Sequence, residues 1–161
     1  ELANSQEHED ADSSNQRLVL TLYDALSSLD SDTVVTILAP HLDWWFHGPP
    51  SHQFLMRLLT GHSSSFRFVP QSLTSFGPTV LVEGCDTSLS ISWVHAWTVT
   101  NGVITHLREY LNTSLTVTRI ADSSDITAAA ETSPSLHCPS VWESTVSDRV
   151  GKSVPGLILT I

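Results

Sequence analysis

The sequence predicts an α+β fold in which three short helices precede an antiparallel sheet. Three observations carry that prediction. Apolar residues recur at helical spacing in three stretches before Gly61, four β-rich runs follow between residues 66 and 117, and Asn101-Gly102 joins two of those runs. Asn-Gly between β-rich segments is the strongest short-range signal for a two-residue hairpin with a type I′ turn.

Residues 1–13 hold almost nothing apolar and are expected to be disordered. Ser13 and Ser14 offer caps for a first helix, whose stripe of Leu18, Leu22, Ala25, Leu26 and Leu29 runs down to Asp30. Ser31-Asp32 then cap a second helix, Thr33 to Leu38, which Pro40 stops. The next ten residues, His41 to Pro50, hold two adjacent tryptophans, Phe46 and two histidines. They read as an aromatic strand ended by Gly48-Pro49-Pro50, because proline donates nothing to a ladder. Ser51 caps a third helix, Gln53 to Thr60, with Phe54, Leu55, Leu58 and Leu59 on one face and Gly61 as its stop.

The β-rich runs are Phe66 to Thr74, Thr79 to Cys85, Leu89 to Thr100 and Val103 to Val117. With Thr100 paired to Val103, an unbroken ladder puts Val94, Ala96, Thr98, Thr105, Leu107 and Glu109 on one face. The other face then carries Trp93, His95, Trp97, Val99, Ile104, His106, Arg108 and Tyr110. A slip of one residue would mix the two sets. Beyond the domain of residues 14–119, a stretch of Asp, Ser, Thr and Ala without periodicity marks residues 120–136 as a linker. Apolar residues return in 137–161, a tail expected to dock on the domain or on its dimer partner.

One domain accounts for 161 residues. The net charge of −10, with seven Lys and Arg, argues against nucleic acid or an anionic membrane as partner. No apolar run approaches the roughly 20 residues of a membrane helix. The acidic first residues are unlike a secretory signal, and Cys85 and Cys138 are too few for a disulfide framework. A cytoplasmic location is therefore expected, with the nucleus as a second, and the sequon Asn112-Thr113-Ser114 would stay unused. The eight histidines lack compact ligand spacing, so no metal is expected, and no other cofactor. Gly151-Lys152-Ser153 imitates the end of a phosphate loop, but Val146 stands where its first glycine belongs.

Five stretches go further: Leu42 to Arg57, Val82-Glu83-Gly84-Cys85-Asp86, Trp93 to Thr98, Arg108-Glu109-Tyr110 and Arg149 to Gly156. Together they resemble the plant wound-induced and senescence-associated protein family, over residues 14–161. The resemblance implies a stress-responsive plant protein with a cone-shaped α+β fold, helices packed in a curved antiparallel sheet. That fold is shared by nuclear transport factor 2, the ketosteroid isomerases, limonene epoxide hydrolase and the SnoaL-like polyketide cyclases. Such proteins commonly dimerise through the outer sheet face, so a homodimer is implied, with Trp93, His95, Trp97, His106, Arg108 and Tyr110 as the interface. The alternative is that the tail covers that face.

The resemblance also lets catalytic positions be compared. The isomerases carry their base directly before a proline at the end of the aromatic strand, which falls on Gly48, and their second acid falls on Val94. The hydrolases use Arg-x-Asp on one strand and an acid in the last. Gly84 stands where that Arg belongs, Asp86 keeps the acid, and Glu109 matches the last-strand acid. Asp86 and Glu109 are thus a candidate acid–base pair, or else a turn residue and one half of an ion pair with an arginine. His47 is the best single acid–base candidate, since an unperturbed histidine titrates at about 6.5; bonding to nearby backbone is its bland alternative. Trp44, Trp45, Phe46, Phe54, Val94 and Leu107 are the predicted pocket wall, with the parity of residues 42–47 open. Either parity brings tryptophan inward and favours a flat or apolar ligand. The combined reading is a non-catalytic small-molecule-binding or accessory protein assisting specialised metabolism. A SnoaL-like cyclase, isomerase or hydratase is the alternative, and an adaptor contacting a biosynthetic enzyme the second.

Overall fold

A computed structural model describes residues 2–62, 65–120 and 139–161. Helix α1 spans Leu2–Ser28, so the acidic stretch expected to be disordered forms its first turns. Residues 4–10 are exposed; their Gln and Glu side chains favour helix and need no buried face once the amphipathic turns behind them have nucleated. Those later turns bury Val19, Leu22, Tyr23, Ala25 and Leu26. Helix α2, Ser31–Ile37, is capped by Asp30, whose carboxylate accepts the Thr33 N–H at 3.2 Å. Strand β1, Leu38–His47, follows directly, with Pro40 in its irregular first half. A 3-10 turn at Pro50–His52 leads into helix α3, Phe54–Leu59, and Gly61 closes it at φ +78°.

The sheet strands are β2 (Ser72–Phe76), β3 (Thr79–Asp86), β4 (Ile91–Thr100) and β5 (Val103–Leu111), followed by β6 (Ser114–Thr118), β7 (Ser140–Glu143) and β8 (Gly156–Thr160). The expected strand from Phe66 begins only after Pro70, which has no N–H for a ladder; Phe66 and Phe68 are buried all the same. A five-stranded sheet runs β1-β5-β4-β3-β2 and a three-stranded one β7-β6-β8. The first is mixed rather than wholly antiparallel, because β1 lies parallel to β5. Residues 121–138, and with them nearly all of the expected linker and Cys138, lie outside the described residues.

One irregularity decides what faces inward. Asn101 and Gly102 have φ of 51° and 78°, and Thr100 pairs with Val103 as the hairpin signal requires. Val99 then pairs with Ile104, but Thr98 pairs with His106, leaving Thr105 as an extra residue in β5. Its hydroxyl bonds the Thr100 hydroxyl at 3.1 Å. Beyond this bulge every β5 side chain is on the opposite face from that of an unbroken ladder. Trp97 therefore faces Leu107, His95 faces Glu109 and Trp93 faces Leu111.

That face packs on α1, on the loop carrying Phe66 and Phe68, and on Leu42, Trp44 and Phe46 of β1. Trp93, His95 and Trp97 are consequently interior residues, not part of an exposed dimer interface. The outer face holds Leu81, Val94, Ala96 and Tyr110, and it packs against Leu115, Val117 and Leu159 of the three-stranded sheet. The chain thus has two apolar layers, one on each side of the main sheet. Glu83, buried on the outer side of β3, joins sheet to tail. Its carboxylate accepts Ser72 Oγ–H at 3.1 Å, Ser144 Oγ–H at 2.9 Å, and from Thr145 both Oγ1–H at 3.0 Å and N–H at 3.2 Å.

Candidate functional site

Inside the sheet, four side chains from three elements form one hydrogen-bonded chain. Trp97 Nε1–H donates to the Tyr23 hydroxyl at 2.9 Å. Tyr23 O–H in turn meets His95 Nδ1 at 2.6 Å, and His95 Nε2 meets Glu109 Oε2 at 2.7 Å. The proton order that satisfies every group has tyrosine donating to Nδ1 and Nε2–H donating to the carboxylate. All four residues are buried, and Tyr23 lies stacked over the His95 ring, 5.9 Å between centroids. Burial pushes the Tyr23 phenol well above its ordinary value, with the Trp97 hydrogen bond pulling down and the Glu109 charge pushing further up. Tyr23 is accordingly held neutral.

A carboxylate, an imidazole and a hydroxyl in this order are the elements of a proton relay. Tyr23, His95 and Glu109 line neither the open space between α1, α2 and α3 nor that between the outer sheet face and β8. The second oxygen of that carboxylate, Glu109 Oε1, and Trp44 Nε1 on β1 are buried with no hydrogen-bond partner among the described residues.

The three candidate catalytic residues are not brought together. Glu109 belongs to the buried chain, and its partner is His95 rather than an arginine. His47 lies on the other face of β1, stacked on Trp45 at 5.8 Å and 6.4 Å from the Tyr110 ring. Asp86 caps a turn, accepting the Ser88 hydroxyl at 2.5 Å and the Leu89 N–H at 3.1 Å, and those bonds hold its carboxyl below the ordinary range. Gly84 has no room for the hydrolase arginine: a Cβ there would stand 2.5 Å from the Trp93 ring and 2.6 Å from the Val69 carbonyl. Gly48 is similar, with a Cβ 2.9 Å from that of Leu111. At both glycines the space is already filled, by side chains at Gly48 and by the Trp93 ring and the Val69 carbonyl at Gly84.

The predicted pocket wall is divided in the same way. Trp44, Phe46, Phe54 and Leu107 pack into the inner core, Val94 into the outer one, and Trp45 is 42% exposed. Open space lies elsewhere. A cavity of about 460 Å³ between α1, α2 and the end of α3 is lined by Leu26, Leu29, Val34, Val35, Leu58 and Leu59, with Asp30 and His62 among its few polar neighbours. A second, of about 450 Å³, lies between the outer sheet face and β8. Among the described residues no three His, Cys, Asp or Glu side chains group as metal ligands, and no helix is long and apolar enough to cross a membrane.

The sequence carries only part of the signal for the helical cavity and the buried chain. Tyr23 stands four residues after Val19 and three before Leu26, on the buried stripe of α1. Leu107 and Leu111 would naturally join Trp93 and Trp97, had a bulge been allowed between them and the turn.

Comparison with known proteins identifies the lineage. The family described as wound-induced protein WI12 matches residues 56–161. This chain belongs to the wound-induced protein family. A senescence-associated gene 20 product of Arabidopsis thaliana is 61% identical over 110 residues, 66% of this chain and all of that protein. Wound-induced protein 1 of Solanum tuberosum is 57% identical over the same length and shares. An NTF2-like protein from Burkholderia xenovorans LB400 superposes with a TM-score of 0.48 at 25% identity, covering 62% of this chain and 90% of that one. In this wound-induced family member, helices pack against an open mixed sheet in an α+β arrangement. The family match starts within α3, so the aromatic strand β1 that suggested the family lies outside it. His95, Trp97 and Glu109 lie within it.

Proposed function

We propose that this wound-induced family member is a non-catalytic carrier or accessory protein for a small apolar molecule, acting in plant stress and specialised metabolism. The observation that carries this reading is the cavity between α1, α2 and α3, about 460 Å³ and walled mainly by aliphatic side chains. That volume suits a drug-sized ligand, and such a wall binds by removing apolar surface from water. The linked acid–base groups lie elsewhere and are closed to solvent. A neutral fluorescent probe, N-phenyl-1-naphthylamine, tests it. Saturable binding at one site per chain is expected, weakened at least about tenfold by Val34→Asp, which puts a charge into the apolar wall. No saturable binding, or binding indifferent to Val34→Asp, would overturn the reading.

One observation favours an acid–base enzyme of the SnoaL-like kind instead: the Glu109–His95–Tyr23 chain itself. That reading requires α1 to move and expose the Tyr23 hydroxyl, and turnover abolished by Glu109→Gln with binding retained would replace the carrier by the enzyme. The homodimer belongs to the carrier reading through what stays open of the outer face, where Trp45 stacks on His47.

A further inference from the structure

We propose that the cleft between the outer sheet face and strand β8 binds the carboxylate of an amphipathic organic acid, at a site separate from the helical cavity. His106, Arg108 and Arg119 line this cleft of about 450 Å³ together with Phe76, Leu159 and Ile161. The three basic side chains are exposed, whereas Leu159 and the neighbouring Ala96 are buried. Two arginine cations and an imidazole therefore stand at the opening and apolar groups at depth. This gradient matches a molecule with a charged head and an apolar body.

The charge distribution makes the site distinct. The chain has 17 acidic residues against seven basic ones, yet no Asp or Glu lines this cleft. Among the described residues no Arg or Lys makes an ion pair with a carboxylate, so the lack of such a partner singles out neither arginine. What singles them out is convergence: two of the seven basic side chains share one walled space. Arg108 is held by other means. Its guanidinium lies 5.9 Å from the Trp45 ring centroid, a contact with the ring face that leaves its N–H donors for an anion. His106 Nδ1 meets the Thr105 hydroxyl at 2.8 Å, and Asp43 approaches its Nε2 at 3.8 Å from β1 without lining the cleft. The remaining negative charge of the chain repels anions at long range, but physiological salt screens that repulsion beyond about 8 Å, leaving local contacts to decide.

The cleft exists because of the tail. Leu159 and Ile161 reach it only because β8 pairs with β6, and Ile161 N–H bonds the Thr118 carbonyl at 2.9 Å. Every lining residue falls between Phe76 and Ile161, inside the segment matched by the family, whereas most of the helical cavity lies outside it. A bare inorganic anion would leave the apolar wall unused, and a neutral alcohol would leave the arginines unused.

Calorimetric titration of the full chain with decanoate, below its micelle concentration, tests the site against decanol and inorganic phosphate. Decanoate is expected to bind once per chain, at least about tenfold more tightly than either control, the factor a charge-assisted hydrogen bond supplies. Arg108→Gln and Arg119→Gln are each expected to weaken it about tenfold with unchanged melting temperature, as both side chains are exposed. Val34→Asp is expected to leave it unaltered. Decanol binding as tightly as decanoate, or decanoate binding that survives both arginine changes, overturns the proposal. Loss on Val34→Asp alone would assign decanoate to the helical cavity and equally overturn it.

Discussion

Tyr23 shows how one hydroxyl can organise a core. It accepts from Trp97 and donates to His95, so a single oxygen satisfies polar atoms from two positions of β4. Leaving buried donors or acceptors unsatisfied costs about 1–3 kcal/mol each. Tyr23→Phe is therefore expected to destabilise the fold by about 2–4 kcal/mol, read by urea denaturation at neutral pH. The same residue sets an alkaline limit. Its folded phenol titrates well above its ordinary value, so its stabilising effect is complete below the unfolded value of about 10 and is lost as pH rises through the folded one. Wild type should lose stability steeply above that pH, and Tyr23→Phe should flatten the loss. The sequence marked His95 and Glu109 as noteworthy but not as partners, because their contact depends on which face each occupies. It could not reveal that Gly48 and Gly84 are packing positions, since the nearest atoms that exclude a side chain come from Leu111 at the first and from Trp93 and Val69 at the second, residues brought close only by the fold.

The decisive element is the β4–β5 hairpin. Its turn was legible because Asn101 and Gly102 adopt positive φ more readily than other residues. Its bulge was not, because an extra residue leaves the local pattern of β-forming side chains nearly unchanged. Thr105 restores agreement between the two strands by turning Leu107, Glu109 and Leu111 toward the aromatic residues of β4. Deleting both Thr105 and His106 while keeping the Asn-Gly turn would pair Trp97 with Arg108 and turn that guanidinium into the inner core, whereas deleting Thr105 alone would only remove the bulge and leave Trp97 opposite Leu107. Burying an unpaired cation costs several kcal/mol, so the double-deletion variant is expected to lose near-ultraviolet circular dichroism and cooperative unfolding. A native-like spectrum would show that the sheet tolerates either register. Helix and strand existence was otherwise read well, while boundaries moved wherever proline or capping chemistry intervened: Asp30 rather than Ser31 caps α2, and Pro70 delays β2.

At the scale of the whole molecule, two apolar layers share one sheet, and Glu83 fastens the outer layer by accepting four hydrogen bonds, three of them from Ser144 and Thr145. Replacing it by glutamine keeps the shape but turns one acceptor into a donor, which faces hydroxyl and N–H donors. Glu83→Gln is expected to raise amide hydrogen exchange about tenfold or more in β7 and β8 while leaving β4 and β5 nearly unchanged, because the inner layer does not depend on that contact. Uniform exchange across the molecule would mean that the two layers unfold as one. By itself the sequence determined the α+β class, the helical stripes, the Asn101-Gly102 turn and the family, all of which depend on local periodicity, turn chemistry or extended motifs. Only the tertiary structure decided what those elements enclose: a sealed Tyr23–His95–Glu109 chain where an aromatic pocket was expected, and open cavities beside the helices and under β8. The physical reason is that a side chain's face depends on strand register, and here one bulged residue reverses it.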